Sequence, residues 1–115
     1  MKVAVVGSRN LMVKDLGKYL PPDTTEIISG GANGVDTCAR EYALSHSIKL
    51  TEIKPDYARY GHGGAPLRRN TAIIESADLV LAFWDGVSHG TKDVIKKCQE
   101  MGTAVQVYTS DEIEF

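Results

Sequence analysis

The sequence contains few cysteines, and its two cysteines lie far apart. Cys38 and Cys98 form no C-x-x-C pair, and neither has a metal-ligand spacing. His62 and His89 share no such spacing with a carboxylate or a cysteine either. These absences argue against a disulfide framework and a zinc site, and we predict no bound metal. Because each cysteine falls among apolar positions of a predicted helix, we interpret both as small buried hydrophobic residues.

The chain also lacks an excess of charge of one sign and any long apolar run. Its 13 Lys and Arg residues against 15 Asp and Glu residues give a net charge of −2, so no overall field attracts it to nucleic acid or an anionic membrane. The apolar run after Met1-Lys2 is only about four residues long, too short for a signal peptide or a membrane span. We therefore expect a cytoplasmic protein without membrane contact, with one domain over residues 1–115.

Three common motifs are missing. The first loop has only Gly7 before Ser8-Arg9, which is not the G-x-G-x-x-G of dinucleotide dehydrogenases. Thr91-Lys92 reverses the order of a P-loop, and no serine stands in a G-x-S-x-G turn. These absences argue against dehydrogenases, P-loop proteins and serine hydrolases, and we predict no cofactor.

Apolar runs alternate with amphipathic stretches along the whole chain. Runs typical of strands occupy residues 3–6, 24–29, 50–53, 79–84 and 104–108, and helical stripes occupy residues 11–20, 35–43, 66–76 and 91–101. Residues 54–64 are interpreted as a loop, with Pro66 in the first turn of the next helix. The alternation predicts an α/β fold, a Rossmann-like three-layer sandwich around a five-stranded parallel sheet of order 3-2-1-4-5. The first and fourth strands are then central.

Three glycine-rich polar segments each follow a predicted strand, at residues 5–9, 28–36 and 83–91. Because ligands bind outside the carboxyl ends of parallel strands, these segments should converge at one edge of the sheet. Glycine lets the backbone approach a ligand, and helix N-termini offer free N–H groups to an anion. The candidate ligand-binding residues are Gly7, Ser8, Arg9, Ser29, Gly30, Gly31, Gly34, Asp36, Arg69, Asn70, Trp84, Asp85, Gly86, Ser88, Gly90 and Thr91. The pattern predicts a site for a phosphate-bearing small molecule.

Some of these side chains have a more specific interpretation. Arg9, Arg68 and Arg69 are candidate phosphate clamps, and Arg9 and Arg69 are the ones assigned to the predicted site. Asn70 falls on the apolar stripe of its helix, and a buried amide needs either a protein partner or a ligand. Trp84 either stacks on a base or belongs to the core.

Together these segments resemble the SLOG superfamily, which contains the Smf/DprA and LOG proteins, and within it the small stand-alone YspA-like domains of unknown function. The matching stretches are residues 5–9, 29–36, 69–70, 82–86 and 90–92. The resemblance implies a Rossmann-like fold that binds a nucleotide or a nucleotide-derived ligand, as a sensor or as a nucleotide-processing enzyme. Related folds often pair through helices, which makes a homodimer the candidate assembly.

The LOG enzymes of this superfamily cleave the base from a nucleoside monophosphate, and their signature is only partly present. Gly90-Thr91 matches it, but Asp85-Gly86 replaces a glycine pair and Val94 stands where those enzymes have a glutamate. Cleavage of an N-glycosidic bond needs a nearby carboxylate, so Asp36 or Asp85 would be the catalytic residue. Each also has a structural interpretation: Asp36 would interact favourably with the dipole of its helix, and Asp85 would be a capping residue. Such hydrolysis is one alternative function. A DprA-like nucleic-acid-binding module is another alternative, but the acidic charge balance argues against it.

Overall fold

The computed structural model describes residues 1–110, which form a five-stranded, wholly parallel sheet. The strands are β1 (Lys2–Gly7), β2 (Glu26–Ser29), β3 (Lys49–Glu52), β4 (Leu79–Trp84) and β5 (Ala104–Thr109). Their order is β3-β2-β1-β4-β5, which confirms the predicted α/β topology.

The central position of β1 and β4 follows from their side chains. Residues 3–6 and 80–83 are buried on both faces of the sheet, as expected for parallel strands covered on each side. The two strands pair in register from Val3 opposite Leu79 to Gly7 opposite Phe83. Both strands therefore end at the same level, and their loops leave the sheet side by side.

Three α-helices pack on the sheet: α1 (Val35–Ser45), α2 (Tyr57–Ser76) and α3 (His89–Met101). Helix α1 contributes Val35 and Ala39 to the core on one face, whereas α2 and α3 contribute Ile73 and Val94 to the core on the other face. Gly102 ends α3 in the left-handed conformation, at φ 72°, which is the usual role of glycine at the C-terminus of a helix. The three layers expected from the sequence are confirmed.

The predicted helix over residues 11–20 was wrong. A 3₁₀ helix, Leu16–Tyr19, is the only helical turn in this stretch, and the rest is irregular. Leu11, Val13 and Leu16 are nevertheless buried, so the segment covers the sheet as a loop with inward apolar side chains. Tyr19 completes this cover by packing edge-on against Phe83, at 5.2 Å between ring centroids.

The predicted loop over residues 54–64 was also wrong in part. Helix α2 already begins at Tyr57, where the Asp56 carboxylate accepts a hydrogen bond of 3.1 Å from the Arg59 N–H as an N-cap. The helix is broken at Gly61, whose φ of 71° and ψ of 177° are not helical, and then continues to Ser76. Pro66 therefore lies inside α2 and not in its first turn.

Within residues 1–110, no helix combines the length and the apolar character that crossing a membrane requires.

Candidate functional site

A cavity of about 450 Å³ opens at the carboxyl ends of β1 and β4. This is the point where the strand order reverses, and it is where open α/β sheets bind ligands. The volume lies within the range of small-molecule sites. Its lining comprises Val6, Gly7, Ser8, Arg9, Asn10, Gly30, Ala32, Asp36, Pro66, Leu67, Arg69, Asn70, Ile73, Asp85, Ser88, Gly90, Thr91 and Val94. Eleven of the candidate residues predicted from the sequence therefore line this cavity.

The floor of the cavity joins the loops that follow β1 and β4. The Ser8 N–H donates to the Phe83 carbonyl oxygen at 3.0 Å, and the Asp85 N–H donates to Ser8 Oγ at 3.1 Å. Ser8 is almost fully buried. These two bonds extend the β1–β4 pairing one step beyond the sheet, and they fix Ser8 at the base of the site.

The Asp85 carboxylate is engaged by its own loop. It accepts hydrogen bonds from the N–H groups of Val87 at 2.9 Å and Ser88 at 2.8 Å, and from Ser88 Oγ at 2.8 Å. These donors lower the pKa of Asp85 to about 2. The geometry favours the capping interpretation of Asp85 over the catalytic one, since a carboxyl group with so low a pKa is a weak base and holds no proton to donate.

The N-terminus of α3 faces the cavity without a cap of its own. Ser88 occupies the N-cap position, but its side chain makes no capping hydrogen bond. The first N–H groups of a helix have no intrahelical acceptor. Gly90 and Thr91 belong to this turn and line the cavity. The turn therefore presents N–H donors and the positive end of the helix dipole.

Thr91 adds a hydroxyl to that helix end. The residue is only 5% exposed, and within residues 1–110 its hydroxyl has no hydrogen-bond partner. No fully buried side-chain oxygen or nitrogen among these residues lacks a partner, so the Thr91 hydroxyl is open to the cavity. The Thr91 hydroxyl is thus a donor and acceptor that lies at the cavity wall and is left for a ligand or for water.

On the opposite side of the cavity, Asp36 and Arg69 flank Gly30. Arg69 donates to the Gly30 carbonyl oxygen from Nη1 at 3.0 Å, and Asp36 accepts from the Ala32 N–H at 3.1 Å. A Cβ atom on Gly30 would lie 2.5 Å from Arg69 Nη1 and 3.1 Å from Asp36 Oδ2. A side chain at position 30 would therefore have to displace the Arg69 guanidinium group from the end of β2.

Burial shifts the pKa of both charged groups. Desolvation raises the pKa of Asp36, although the Ala32 N–H and the charge of Arg69 act in the opposite direction. Desolvation also lowers the pKa of Arg69, and the Asp36 carboxylate partly offsets this effect. Among the aspartates that line the cavity, Asp36 is thus the one whose environment favours holding a proton.

Asn70 is buried, as its place on the apolar stripe implied, but its amide is satisfied by protein groups. Its Nδ2 group donates to Asp93 Oδ2 at 3.1 Å and to the Gly90 carbonyl at 3.5 Å, and its Oδ1 atom accepts from Arg69 Nε at 3.0 Å. Asn70 therefore links α2 to the start of α3 and orients Arg69. A ligand is not needed to explain its burial.

Five of the candidate residues do not line the cavity: Ser29, Gly31, Gly34, Trp84 and Gly86. Gly34 has a packing reason, because a Cβ atom there would lie 2.4 Å from the Arg9 carbonyl oxygen. The Trp84 indole N–H donates to the Ser88 carbonyl oxygen at 3.0 Å, so Trp84 supports the third loop. The structure does not place Trp84 where it could stack on a ligand in this cavity.

The remaining lining residues were not identified from the sequence as site residues: Val6, Asn10, Ala32, Pro66, Leu67, Ile73 and Val94. Most are apolar and belong to the inner surfaces of β1, α2 and α3. Apolar periodicity marks them as core, and only the packing of α2 beside α3 shows that they form a wall. Val94, at the position where LOG enzymes carry a glutamate, is one of them, so no carboxylate stands there.

Residues 1–110 contain no cluster of three or more histidine, cysteine or acidic side chains that could hold a metal ion.

Two comparisons with known proteins found similarity to DprA-type proteins. Residues 1–54 match the family model of DNA recombination-mediator protein A. The X-ray structure of DNA processing protein A (DprA) from Streptococcus pneumoniae superposes with a TM-score of 0.53 at 21% sequence identity. That alignment covers 99% of this chain and 62% of the other, so this chain spans less than two-thirds of that protein. No curated protein sequence gave a match. The chain is thus similar to DprA-type proteins, and the finer YspA-like assignment stays a prediction.

Proposed function

We propose that the cavity between β1 and β4 binds a nucleotide or a nucleotide-derived phosphate ligand. The observation that carries the proposal is the Thr91 hydroxyl, which is unpaired within residues 1–110, is reached only from the cavity side of an otherwise buried residue, and lies in the uncapped first turn of α3. A phosphate group supplies acceptors for both the hydroxyl and the free N–H groups of that turn. Ser8, at the base of the same cavity, adds a second hydroxyl.

The other half of the cavity suits the sugar of a nucleotide. Asp36 offers carboxylate oxygens to ribose hydroxyl groups, and Arg69 supplies positive charge beside it. Between the two polar ends, Val6, Ile73 and Val94 form an apolar wall. A ligand with a phosphate at one end and sugar hydroxyl groups at the other matches the two polar ends of the cavity.

Binding is tested by isothermal titration and thermal shift with AMP and other nucleoside monophosphates. A ligand at about a hundred times its dissociation constant adds roughly 2.7 kcal/mol of stability, which is readily measured in a domain of this size. We expect Thr91→Val, which removes only the hydroxyl at nearly constant shape, to weaken binding at least about tenfold, because a charge-assisted hydrogen bond is worth roughly 1.5–3 kcal/mol. Thr103→Val, away from the cavity, is the matched control. Wild-type protein that binds none of these nucleotides would contradict the proposal.

A second candidate function is hydrolysis of the N-glycosidic bond of such a nucleotide. The observation that favours it is the buried Asp36, whose raised pKa suits a group that donates or accepts a proton. Release of free base from a bound nucleotide, lost in Asp36→Asn, would support hydrolysis. Asp85→Asn serves as the comparison, since that carboxylate is held by its own loop. Binding without any release of base would leave the protein a binding module.

Nucleic acid stays a candidate ligand despite the acidic charge balance. The two proteins that the comparisons name are a DNA recombination mediator and a DNA processing protein, so they give no support to the expectation that nucleic acid is not bound. A single-stranded oligonucleotide titration at several salt concentrations tests this, because phosphate contacts make affinity fall steeply with salt.

A further inference from the structure

A second cavity, of about 320 Å³, lies beyond Arg69 on the β3 side of the same sheet edge. Its lining comprises Ile53, Lys54, Asp56, Tyr60, Ala65, Arg68, Arg69, Thr71, Ala72 and Glu75. Arg69 borders both cavities. Its side chain reaches the carbonyl of Gly30 at the end of β2, and so the two cavities are neighbours separated by one guanidinium group.

The second cavity is lined by three cationic side chains that form no salt bridge within residues 1–110. Within residues 1–110, Lys54, Arg68 and Arg69 have no carboxylate within salt-bridge distance. The Lys54 side chain folds toward the end of β2, because a Cβ atom on Gly31 would lie 3.0 Å from its Cε atom. Arg68 is held over the Tyr60 ring, with its guanidinium carbon 5.1 Å from the ring centroid.

The acidic groups near these cations are largely engaged elsewhere. Glu52 accepts two hydrogen bonds from Arg40, at 2.9 and 3.0 Å. Asp56 caps the N-terminus of α2. Glu75 also lines this cavity, so its lining has three cations against the two carboxylates of Asp56 and Glu75, and Asp36 lines the first cavity. The three cations therefore form a second position that favours an anion.

The spacing of the two anion positions restricts the ligand. Neighbouring strands lie about 4.8 Å apart, so the end of β2 is roughly 7 Å from the crevice between β1 and β4. That span corresponds to a sugar with substituents on both sides, whereas adjacent phosphates share a single bridging oxygen. Asp36, between the two positions, is placed to accept from a sugar hydroxyl.

We infer that the site takes a nucleotide phosphorylated on both sides of its ribose, with one phosphate at Thr91 and the other between Arg69, Lys54 and Arg68. The inference rests on the proposed nucleotide site in the first cavity. The same chemistry occurs in a free nucleoside 3′,5′-bisphosphate and in a 5′-phosphorylated dinucleotide, where the second phosphate is a diester.

The experiment is a calorimetric titration with AMP, ADP, adenosine 3′,5′-bisphosphate and the dinucleotide pApA. ADP is the matched control ligand, because it has a second phosphate in the wrong place. We expect the bisphosphate to bind at least tenfold more tightly than AMP or ADP. We further expect Lys54→Ala and Arg68→Ala to remove this advantage while leaving the AMP affinity within about twofold. Arg59→Ala, which removes a cation that also contacts Tyr60 but lines neither cavity, should keep the advantage.

The possible failures are distinguishable. If AMP binds and the bisphosphate binds no more tightly than ADP, the inference is overturned and the nucleotide site stands. An advantage that persists in Lys54→Ala and Arg68→Ala also overturns it. If none of the four ligands binds, the nucleotide site itself fails and the inference with it. When the bisphosphate is favoured, an equal gain with pApA assigns the second position to a phosphodiester, and a gain confined to the bisphosphate assigns it to a terminal phosphate.

Discussion

The backbone N–H of Asp85 donates to the hydroxyl of Ser8 at 3.1 Å, joining the loops that follow the two central strands. These residues are 77 positions apart in the chain. Their contact fixes the floor of the main cavity. The loops are thus tied to each other before any ligand is bound.

Ser8→Ala should destabilise the protein by about 1–3 kcal/mol, because it leaves the Asp85 N–H without its acceptor at a nearly fully buried residue. Urea unfolding measures the change. Ser45→Ala, at an exposed position near the end of α1, should stay within about 0.5 kcal/mol of wild type. Equal effects of the two substitutions would show that the bond between the loops contributes no particular stability.

Gly34→Ala and Gly86→Ala form a matched pair, since both glycines have a positive φ, at 70° and 89°. A Cβ atom on Gly34 would lie 2.4 Å from the Arg9 carbonyl oxygen, whereas one on Gly86 meets no atom within 4 Å. We expect Gly86→Ala to cost about 1–2 kcal/mol from backbone strain alone. Gly34→Ala should cost clearly more or prevent folding. Urea midpoints, or soluble yield for Gly34→Ala, provide the comparison, and the reverse ranking would contradict the described loop contact.

Asp85 should make stability depend on pH in the acid range. Its pKa falls from 3.8 to about 2 on folding, because the N–H groups of Val87 and Ser88 stabilise the carboxylate. A group with a depressed pKa in the folded state stabilises it above its unfolded pKa, and that contribution is lost as the pH falls toward the folded value. The stability difference between wild type and Asp85→Ala should therefore be constant above pH 4 and shrink between pH 4 and about 2. Urea unfolding across this range tests it, and a difference independent of pH would exclude this origin.

Asp36→Asn should show the opposite dependence. Desolvation raises the pKa of Asp36 in the folded state above 3.8, so ionisation favours the unfolded chain as the pH rises through and above that value. The amide keeps an oxygen for the Ala32 N–H but carries no charge. We expect the stability of the variant relative to wild type to increase with pH above about 4 and then level off. A relative stability that falls with rising pH would mean that the attraction of Arg69 outweighs burial.

The fold could be predicted because buried parallel strands have a strong local signature. The apolar run over residues 79–84 is strand β4 to the residue, and its hydrophobicity placed it in the centre of the sheet. The helix over residues 11–20 was predicted because Met12, Leu16 and Tyr19 have helical spacing. The structure instead buries Leu11 and Val13 together with Leu16, a pattern that no helical stripe explains. Buried side chains that follow no helical or strand periodicity are typical of a loop that covers a sheet. Which side chains of such a loop are buried depends on the sheet beneath it.

The candidate site was predictable where the contributing groups follow strands, as Ser8, Gly30 and Thr91 do. It was not predictable where contacts join distant segments. The partners of Asn70 are the Gly90 carbonyl and Asp93, 20 and 23 residues away, so the sequence could indicate a buried amide but not what satisfies it. The hydrogen-bond partners of Asp85 are local, because its carboxylate accepts from the N–H groups of Val87 and Ser88, two and three residues ahead. An aspartate that bonds its own turn in this way is a common loop feature, and it favours the structural role from the start.

Among residues 1–110, helices α2 and α3 cover one face of the sheet, whereas α1 and the largely irregular segment over residues 9–20 cover the other face. Irregular segments with few backbone hydrogen bonds open at lower free energy than packed helices. Native-state hydrogen exchange should therefore reveal two tiers of protection, with residues 9–20 exchanging before α2 and α3. Arg9 and Asn10 are carried by the less protected tier, whereas Asn70 and Thr91 belong to the more protected one. If the cavity binds a nucleotide as we propose, the ligand would enter past Arg9 and Asn10, on the side of the cavity that opens at the lower free energy.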